Sequence, residues 1–424
     1  MIEIIKLRSN RNSYIKSLEK RGIEKIEKKL EELINLDDDR KSLKTELDKL
    51  LTDSNRIAKE IGQIIKSGDD NKISDLKTKS TQLKEETKKI SEELKNREID
   101  IKKILVNIPN IPDKRVPEGN SENDNIKILK NDVNINTKEN LKPHWEIIKK
   151  FKLIDFDNGN KIAGAGFPVY TNNGAKLQRA LINYFLDEAS KNGYVEIQPP
   201  VLVNNDSGFG TGQLPDKEGM MYKIEDENLF LIPTAEVPIT NIYRKTIIEK
   251  EKLPIKNVAY TPCFRKEAGS WGAHVRGLNR LHQFDKVEIV QIEDEARSDK
   301  ALEEMCNYVE GLIKSLEISY RKLLLCAGDL GFSSSITYDF EVYAPGQKRW
   351  LECSSVSNFK TYQSNRMNLK IKNEKSKALA HTLNGSALAL PRIVAAILET
   401  HQGDNEIKIP EVLHKYTGFN KINL

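Results

Sequence analysis

The chain has 424 residues, enough for two or three domains and a sizeable core. With 38% hydrophobic and 31% charged residues it is too polar to be buried throughout, which calls for a compact part joined to a long solvated element. The net charge of +5 admits nucleic-acid binding without arguing for it, and no apolar run approaches the roughly 18 residues of a membrane helix.

The start MIEIIKLRSNRN lacks the apolar segment of a secretory leader. Cys263, Cys306, Cys326 and Cys353 form no CxxC pair, and the histidines lie far apart, so no zinc site is expected. We expect a soluble cytoplasmic protein with reduced thiols and no membrane attachment.

From Glu27 to Leu105 there is no proline, and Lys and Glu dominate. Apolar residues recur in alternating steps of three and four: Leu33, Leu36, Leu43, Leu47, Leu50, Ile57, Ile61 and Ile64, with Arg40 and Ser54 in the gaps. The rhythm resumes after Ser67-Gly68-Asp69-Asp70-Asn71 with Ile73, Leu76, Leu83, Ile90, Leu94, Ile101 and Ile104, where Ser80, Thr87 and Arg97 fill the gaps. This is a heptad pattern broken once by a turn.

Folding the chain about that turn pairs Ile64 with Ile73, Leu47 with Ile90 and Leu36 with Ile101, and sets small seam residues opposite large ones. An antiparallel two-helix coiled coil is predicted, each helix reaching on the order of 55 Å. Arg40 would face Arg97, so both must turn outward or meet an anion. Taken alone, such a hairpin suits a structural or oligomerisation coil better than a reaching arm.

After Asn107 the segment Ile108-Pro109-Asn110-Ile111-Pro112-Asp113 ends the helix, and a polar stretch runs to about Asn140. Beyond Pro143, short β-rich runs (Val195–Ile197, Leu229–Ile232, Lys286–Val290) alternate with helical windows at Ala175–Asn192 and Ala301–Cys326. That mixture predicts an α+β domain.

Three constellations could carry chemistry. Thr261-Pro262-Cys263-Phe264-Arg265-Lys266-Glu267 leads into a Gly-containing loop, then Arg280-Leu281-His282-Gln283-Phe284 and Val287-Glu288, which reads as strand, loop, strand. Arg265 offers a planar fork for phosphate and Phe284 a flat face for a base. In Trp350–Ser357, Glu352 and Ser355 supply oxygens suited to a hard cation such as Mg²⁺. In His381–Glu399 an Asn-Gly-Ser turn is predicted to open an apolar, buried helix carrying Arg392, which would then need an anionic partner. Each reading has a bland rival: a surface ion pair, a polar turn, a structural salt bridge. Their shared need for phosphate, base and cation chemistry favours a nucleotide site.

These stretches resemble, in order, motifs 2 and 3 of class II aminoacyl-tRNA synthetases, and Gly193-Tyr194-Val195-Glu196-Ile197-Gln198-Pro199-Pro200 resembles motif 1, whose proline lies at the dimer interface in that family. Thr211-Gly212-Gln213-Leu214-Pro215, Thr234-Ala235-Glu236, Glu352-Cys353-Ser354-Ser355 and the N-terminal hairpin are similar to the bacterial-type seryl enzymes. The resemblance implies a class II antiparallel-sheet catalytic domain with an antiparallel two-helix coiled-coil arm. Residues 1–107 would bind tRNA, with the hairpin at about 27–105, followed by a linker at 108–140 and the catalytic domain at 141–424.

It further implies that Arg265, Glu352 and Arg392 are catalytic. Arg265, Lys266, Glu267, Leu281, Phe284, Glu352, Cys353, Ser354, Ser355 and Arg392 would contact ATP, while Glu352 and Ser355 hold Mg²⁺. Thr234, Ala235, Glu236, Glu288 and Ser386 would line a pocket for L-serine. The implied activity is ATP-dependent formation of seryl-adenylate and transfer to tRNA(Ser), with tRNA(Sec) as a further candidate acceptor, by a homodimer. The alternative is a catalytically silent, nucleic-acid-binding paralogue. Trp271, Ala273, His274 and Val275 in the motif 2 loop and Leu390-Pro391 before Arg392 depart from the common bacterial pattern. Cys353 is expected to be a packed thiol.

Overall fold

A computed structural model describes residues 1–67, 70–131, 140–267, 275–374 and 376–424. The chain divides into two compact units, one of residues 2–19 and 23–109, the other of Met1, 20–22 and 110–424.

In the first unit, short helices Ile4–Ser9 and Arg11–Glu19 precede two long ones, α1 (Ile26–Ser67) and α2 (Asp70–Leu105). Every predicted seam position from Leu33 to Ile64 and from Ile73 to Ile104 is buried or half-buried. Leu51, Ile65 and Ile99, apolar but off the seam, are exposed, so the heptad and not hydrophobicity alone decides what is covered. Gly68 and Asp69 of the predicted turn lie outside the described residues.

The arginine layer finds its anions within the unit. Arg40 donates to Asp37 at 2.8 and 3.0 Å, and Arg97 lies 3.6 Å from Asp39. Asp37 is itself buried and also meets Arg8 and Lys41. Burial opposes its charge, but hydrogen bonds from Arg40, Lys41 and Arg8 outweigh that and hold its carboxyl below the usual range.

The second unit is built on an eight-stranded sheet. Its elements in chain order are β1 (Ile126–Asn131), α3 (Asn172–Lys191), β2 (Val195–Glu196), β3 (Ile255–Phe264), β4 (Gln283–Glu293), α4 (Ser298–Ser315), β5 (Tyr320–Leu324), β6 (Ile336–Ala344), β7 (Arg349–Lys360), β8 (His381–Ala389) and α5 (Leu390–Thr400). The strand order is β1-β5-β6-β7-β8-β4-β3-β2, antiparallel throughout except for the parallel pair β2/β3.

Alternation along the strands separates the two faces. Val287 and Ile289 of β4 join a core with Leu181 and Phe185 of α3, Met305 and Val309 of α4, and Ile393 and Ile397 of α5. Lys286 and Glu288, which alternate with them in sequence, point the other way. The helices thus cover one face and leave the other for chemistry.

Three expectations are corrected. The helix predicted over Ala301–Cys326 stops at Ser315, Glu317 adopts φ +56°, and Tyr320–Leu324 is a sheet strand. The apolar run Leu323-Leu324-Leu325 fits either period, and pairing with β6 decides it. Asn384-Gly385-Ser386 is no turn but the middle of β8. Gly385 is opposite Val356 and Ile289, and a Cβ there would lie 3.2 Å from Val356, so the glycine serves close strand packing.

Arg392 is also not buried. It sits in the first turn of α5, its side chain 32% exposed. Within the stretch read as a linker, Asn110 and Asp113 are buried and Ile126–Asn131 forms the sheet edge; residues 132–139 lie outside the described residues. Asn110 donates to the carbonyls of Ser333 and Phe359, and Asp113 accepts from Arg115 and Lys360.

Candidate active site

The face of β3, β4 and β8 turned away from the long helices carries a buried polar cluster. Register sets Glu288 beside Ala259 on one side and Ser386 on the other. Glu288 is 1% exposed and accepts from Asn384 Nδ2 at 3.1 Å, Ser386 Oγ at 3.3 Å and Lys286 Nζ at 2.6 Å. Lys286 also donates to Thr234 Oγ1 at 3.0 Å, which in turn accepts from the Glu236 backbone N–H. A buried ion pair is tolerable only with such added hydrogen bonds, because desolvation otherwise cancels the attraction.

Glu236 opens the short helix Glu236–Asn241 and is buried. Burial, then the nearby Glu288 charge, pushes its carboxyl up to about 7 against the opposing pull of Gln363, Lys286 and Arg265. Gln363 Nε2 donates to Glu236 Oε1 at 2.6 Å and to the Thr211 carbonyl at 3.1 Å, while its Oε1 accepts from Thr382 Oγ1 at 2.7 Å. Two carboxylates against one lysine make the pocket a match for an ammonium, and Thr234 and Ser386 add hydroxyls suited to a small polar side chain.

At the ends of β3 and β4, the Arg265 guanidinium lies 5.2 Å from the Phe284 ring centroid and donates to the Pro233 carbonyl at 3.3 Å. Glu267, at φ +44°, pairs with Arg280, and among the described residues of that motif no carboxylate pairs with Arg265. Lys266 is exposed. Residues 268–274, with Trp271, Ala273 and His274 of the motif 2 loop, lie outside the described residues. Val275 is described and half-buried.

On β7, Glu352 is 49% exposed and Ser355 half-buried; Arg392 bonds the Glu352 carbonyl at 2.6 Å and lies 3.7 Å from its carboxylate. Asp339, across from Ser355 on β6, has Oδ1 buried with no partner among the described residues. Burial and then the Glu352 charge push its carboxyl well above the usual range. Hard oxygens around an orphaned carboxylate oxygen fit a divalent cation whose remaining ligands come from phosphate and water. Among the described residues no group of three or more His, Cys, Asp or Glu could hold a metal by itself. Leu281 and Cys353 point into the main core, Ala235 into a smaller one, and Ser354 bonds the Ser386 carbonyl at 2.6 Å. Their side chains are occupied with packing.

Residues 1–112 match the description "Seryl-tRNA synthetase N-terminal domain", and residues 222–401 match "tRNA synthetase class II core domain (G, H, P, S and T)". A serine--tRNA ligase of Salinibacter ruber is 44% identical over 92% of both chains, and one of Nautilia profundicola is 46% identical over 98% of this chain and 100% of its own. The chain belongs to the seryl-tRNA synthetase family. The crystal structure of seryl-tRNA synthetase from Pyrococcus horikoshii complexed with ATP superposes with a TM-score of 0.90, at 32% identity over 100% of this chain and 99% of that one.

As a seryl-tRNA synthetase family member, the chain has site residues that its motifs did not announce. Lys286 was legible: it is two residues from both Phe284 and Glu288, on the same face by alternation. Gln363 and Asp339 were not, since each reaches the site from an element with no motif of its own, and Thr382, though inside the third constellation, gains its role only beside Gln363. A buried network behind the motif 2 loop also went unread. His144 Nδ1 lies 2.8 Å from Glu399 Oε1, and its Nε2 accepts from the Leu278 backbone N–H at 2.9 Å. Gln347 joins Glu399 to Asn279, whose carbonyl meets Arg392. Gly277, at φ +68°, lies so close that a Cβ would stand 2.3 Å from His144 Nε2.

On the opposite face, a groove of about 530 Å³ runs between α3 and β2, lined by Gln178, Glu196, Ile197, Tyr260 and Asp285 among others. Tyr170 Oη and Gln178 Oε1 are buried there without partners among the described residues.

Proposed function

We propose that the chain activates L-serine with ATP to seryl-adenylate and transfers the seryl group to the 3′-terminal ribose of tRNA(Ser). The observation that carries this reading is the buried cluster of Thr234, Glu236, Lys286, Glu288 and Ser386 beside Arg265 and Phe284. Glu288 and Glu236 attract the serine ammonium. Glu288 and Ser386 offer oxygens to its hydroxyl, so alanine would leave buried acceptors unpaired, and threonine would bring a methyl with no room.

Phe284 stacks on adenine, with Glu267 at the adenine end. Arg265 binds the α-phosphate and offsets charge as the serine carboxylate attacks phosphorus in line; Arg392 reaches the γ-phosphate. Lys266, Leu281, Cys353 and Ser354 border the nucleotide through backbone or packing. Glu352 and Ser355 would hold Mg²⁺, which when bound supplies charge neutralisation to the phosphates. No nucleophilic side chain is required, because the substrate supplies its own carboxylate.

Residues 1–107 serve as the tRNA-binding domain through the hairpin, 108–140 connect, and 141–424 catalyse. The groove beside β2, with the Tyr170 hydroxyl and the Gln178 amide oxygen unsatisfied among the described residues and Val195 exposed, suits a second copy of the chain, giving a homodimer. No described helix is long and apolar enough to cross a membrane, in keeping with work in the cytoplasm. tRNA(Sec) is a further acceptor to assay.

The test is amino-acid-dependent exchange of pyrophosphate into ATP across all twenty amino acids. A signal confined to serine is expected. No signal from folded protein with Mg²⁺ would overturn the reading in favour of a silent nucleic-acid-binding paralogue.

A further inference from the structure

We infer that Gln363 is a positioning residue for serine recognition: its amide holds the Glu236 carboxylate toward the substrate ammonium, and Thr382 keeps that amide the right way round. The inference rests on the serine-pocket reading above and extends it to a residue on another element, the short helix Tyr362–Met367.

The two ends of the Gln363 amide are chemically distinct. A glutamine amide can flip, exchanging donor for acceptor, unless its neighbours distinguish them. Here they do. The Thr211 carbonyl can only accept, and it faces Nε2 at 3.1 Å. The Thr382 hydroxyl donates to Oε1 at 2.7 Å. Both hydrogens of Nε2 are therefore directed, one to Thr211 and the other to Glu236 Oε1 at 2.6 Å. Gln363 and Thr382 are each 1% exposed, so water cannot substitute for either contact.

Glu236 needs such a device. It faces Glu288 and Lys286 from β4, Arg265 from the end of β3, and Gln363 from its helix. Lys286 is already committed to Glu288 and Thr234. The Gln363 amide is thus the neutral donor that favours the ionised Glu236 without adding a fixed cation, which would repel the substrate ammonium. An arginine or lysine at 363 would cancel the attraction that the pocket requires; an amide supplies a hydrogen bond and no net charge.

Two variants test this in the full-length protein. Gln363→Met keeps length and volume but removes the donor. Thr382→Val keeps shape but removes the hydroxyl that orients the amide, and it decides alone if the first variant fails to fold. In serine-dependent pyrophosphate exchange, Gln363→Met should raise KM for serine roughly tenfold or more, with KM for ATP within about twofold of wild type. Thr382→Val should move in the same direction by less.

Because burial pushes the Glu236 carboxyl up to about 7, an acid limb of kcat/KM for serine is expected near that pH in the wild type; it should shift upward in Gln363→Met, where the ionised form has lost a donor, and by less in Thr382→Val, where the donor is only less firmly held. Lowered thermal stability with unchanged KM for serine and an unmoved acid limb would overturn the inference and leave Gln363 as packing. Absence of exchange in the wild type itself would instead overturn the pocket reading, and this inference with it.

Discussion

The helical hairpin and the central sheet neutralise their charged residues in opposite ways. In the hairpin, Arg40 meets Asp37 three residues away and Lys41 meets it across four, pairs that one helix makes with itself. In the sheet, Glu288 is held by Ser386 and Asn384 from a strand nearly a hundred residues later, and Glu236 by Gln363 from further still. Local pairs whose cations reach water tolerate loss better, because solvent takes over the freed lysine or arginine. Buried, long-range pairs do not, because the abandoned partner keeps its charge in a place where nothing can answer it.

The strongest contrast sets one residue against one whole arm. Arg265→Ala should abolish adenylate formation, whereas deleting residues 33–104 should spare it and remove tRNA charging; pyrophosphate exchange and aminoacylation assays on both proteins separate the two. An arm-deleted protein that charged serine tRNA normally would break the comparison.

Next in size, Glu288→Ala should strand the Lys286 ammonium and cost about 3–5 kcal/mol of unfolding free energy in addition to serine-dependent exchange, as read by urea titration.

A smaller effect is expected from Asp37→Asn, about 1–2 kcal/mol at pH 7. Because the folded Asp37 carboxyl lies below its ordinary range, its contribution is full above the ordinary carboxylate pKa and is lost as pH falls through the depressed value. Thermal melts of wild type and variant should therefore differ at neutral pH and converge in strong acid.

The same contrast explains what was legible in the sequence. The hairpin follows from residues three and four apart, so its seam could be read to the last arginine. The strand, loop and strand around Arg265 and Phe284 were legible because both strands flank one loop. Where a residue's partner lies far along the chain, the reading failed. Leu323–Leu325 satisfies helix and strand periods alike, and only β6 beside it settles the matter. Gly385 looked like a turn because glycine usually marks one, yet it is the close approach of Val356 that requires it. Gln363 and Asp339 carry no local signature, since their roles exist only once distant strands are side by side.

Gly277 and His144 are written 133 positions apart, but sterically they are a single residue with a shared outline. The smallest side chain at 277 would evict the imidazole; the displaced imidazole would release the Leu278 amide on one side and Glu399 on the other. Glu399 lies on α5, the same rigid rod that presents Arg392. A single methyl at the root of the motif 2 loop is thus transmitted through imidazole and carboxylate to the guanidinium on the far wall. Position 277 is thus held to glycine twice over, by the imidazole against it and by its own positive φ.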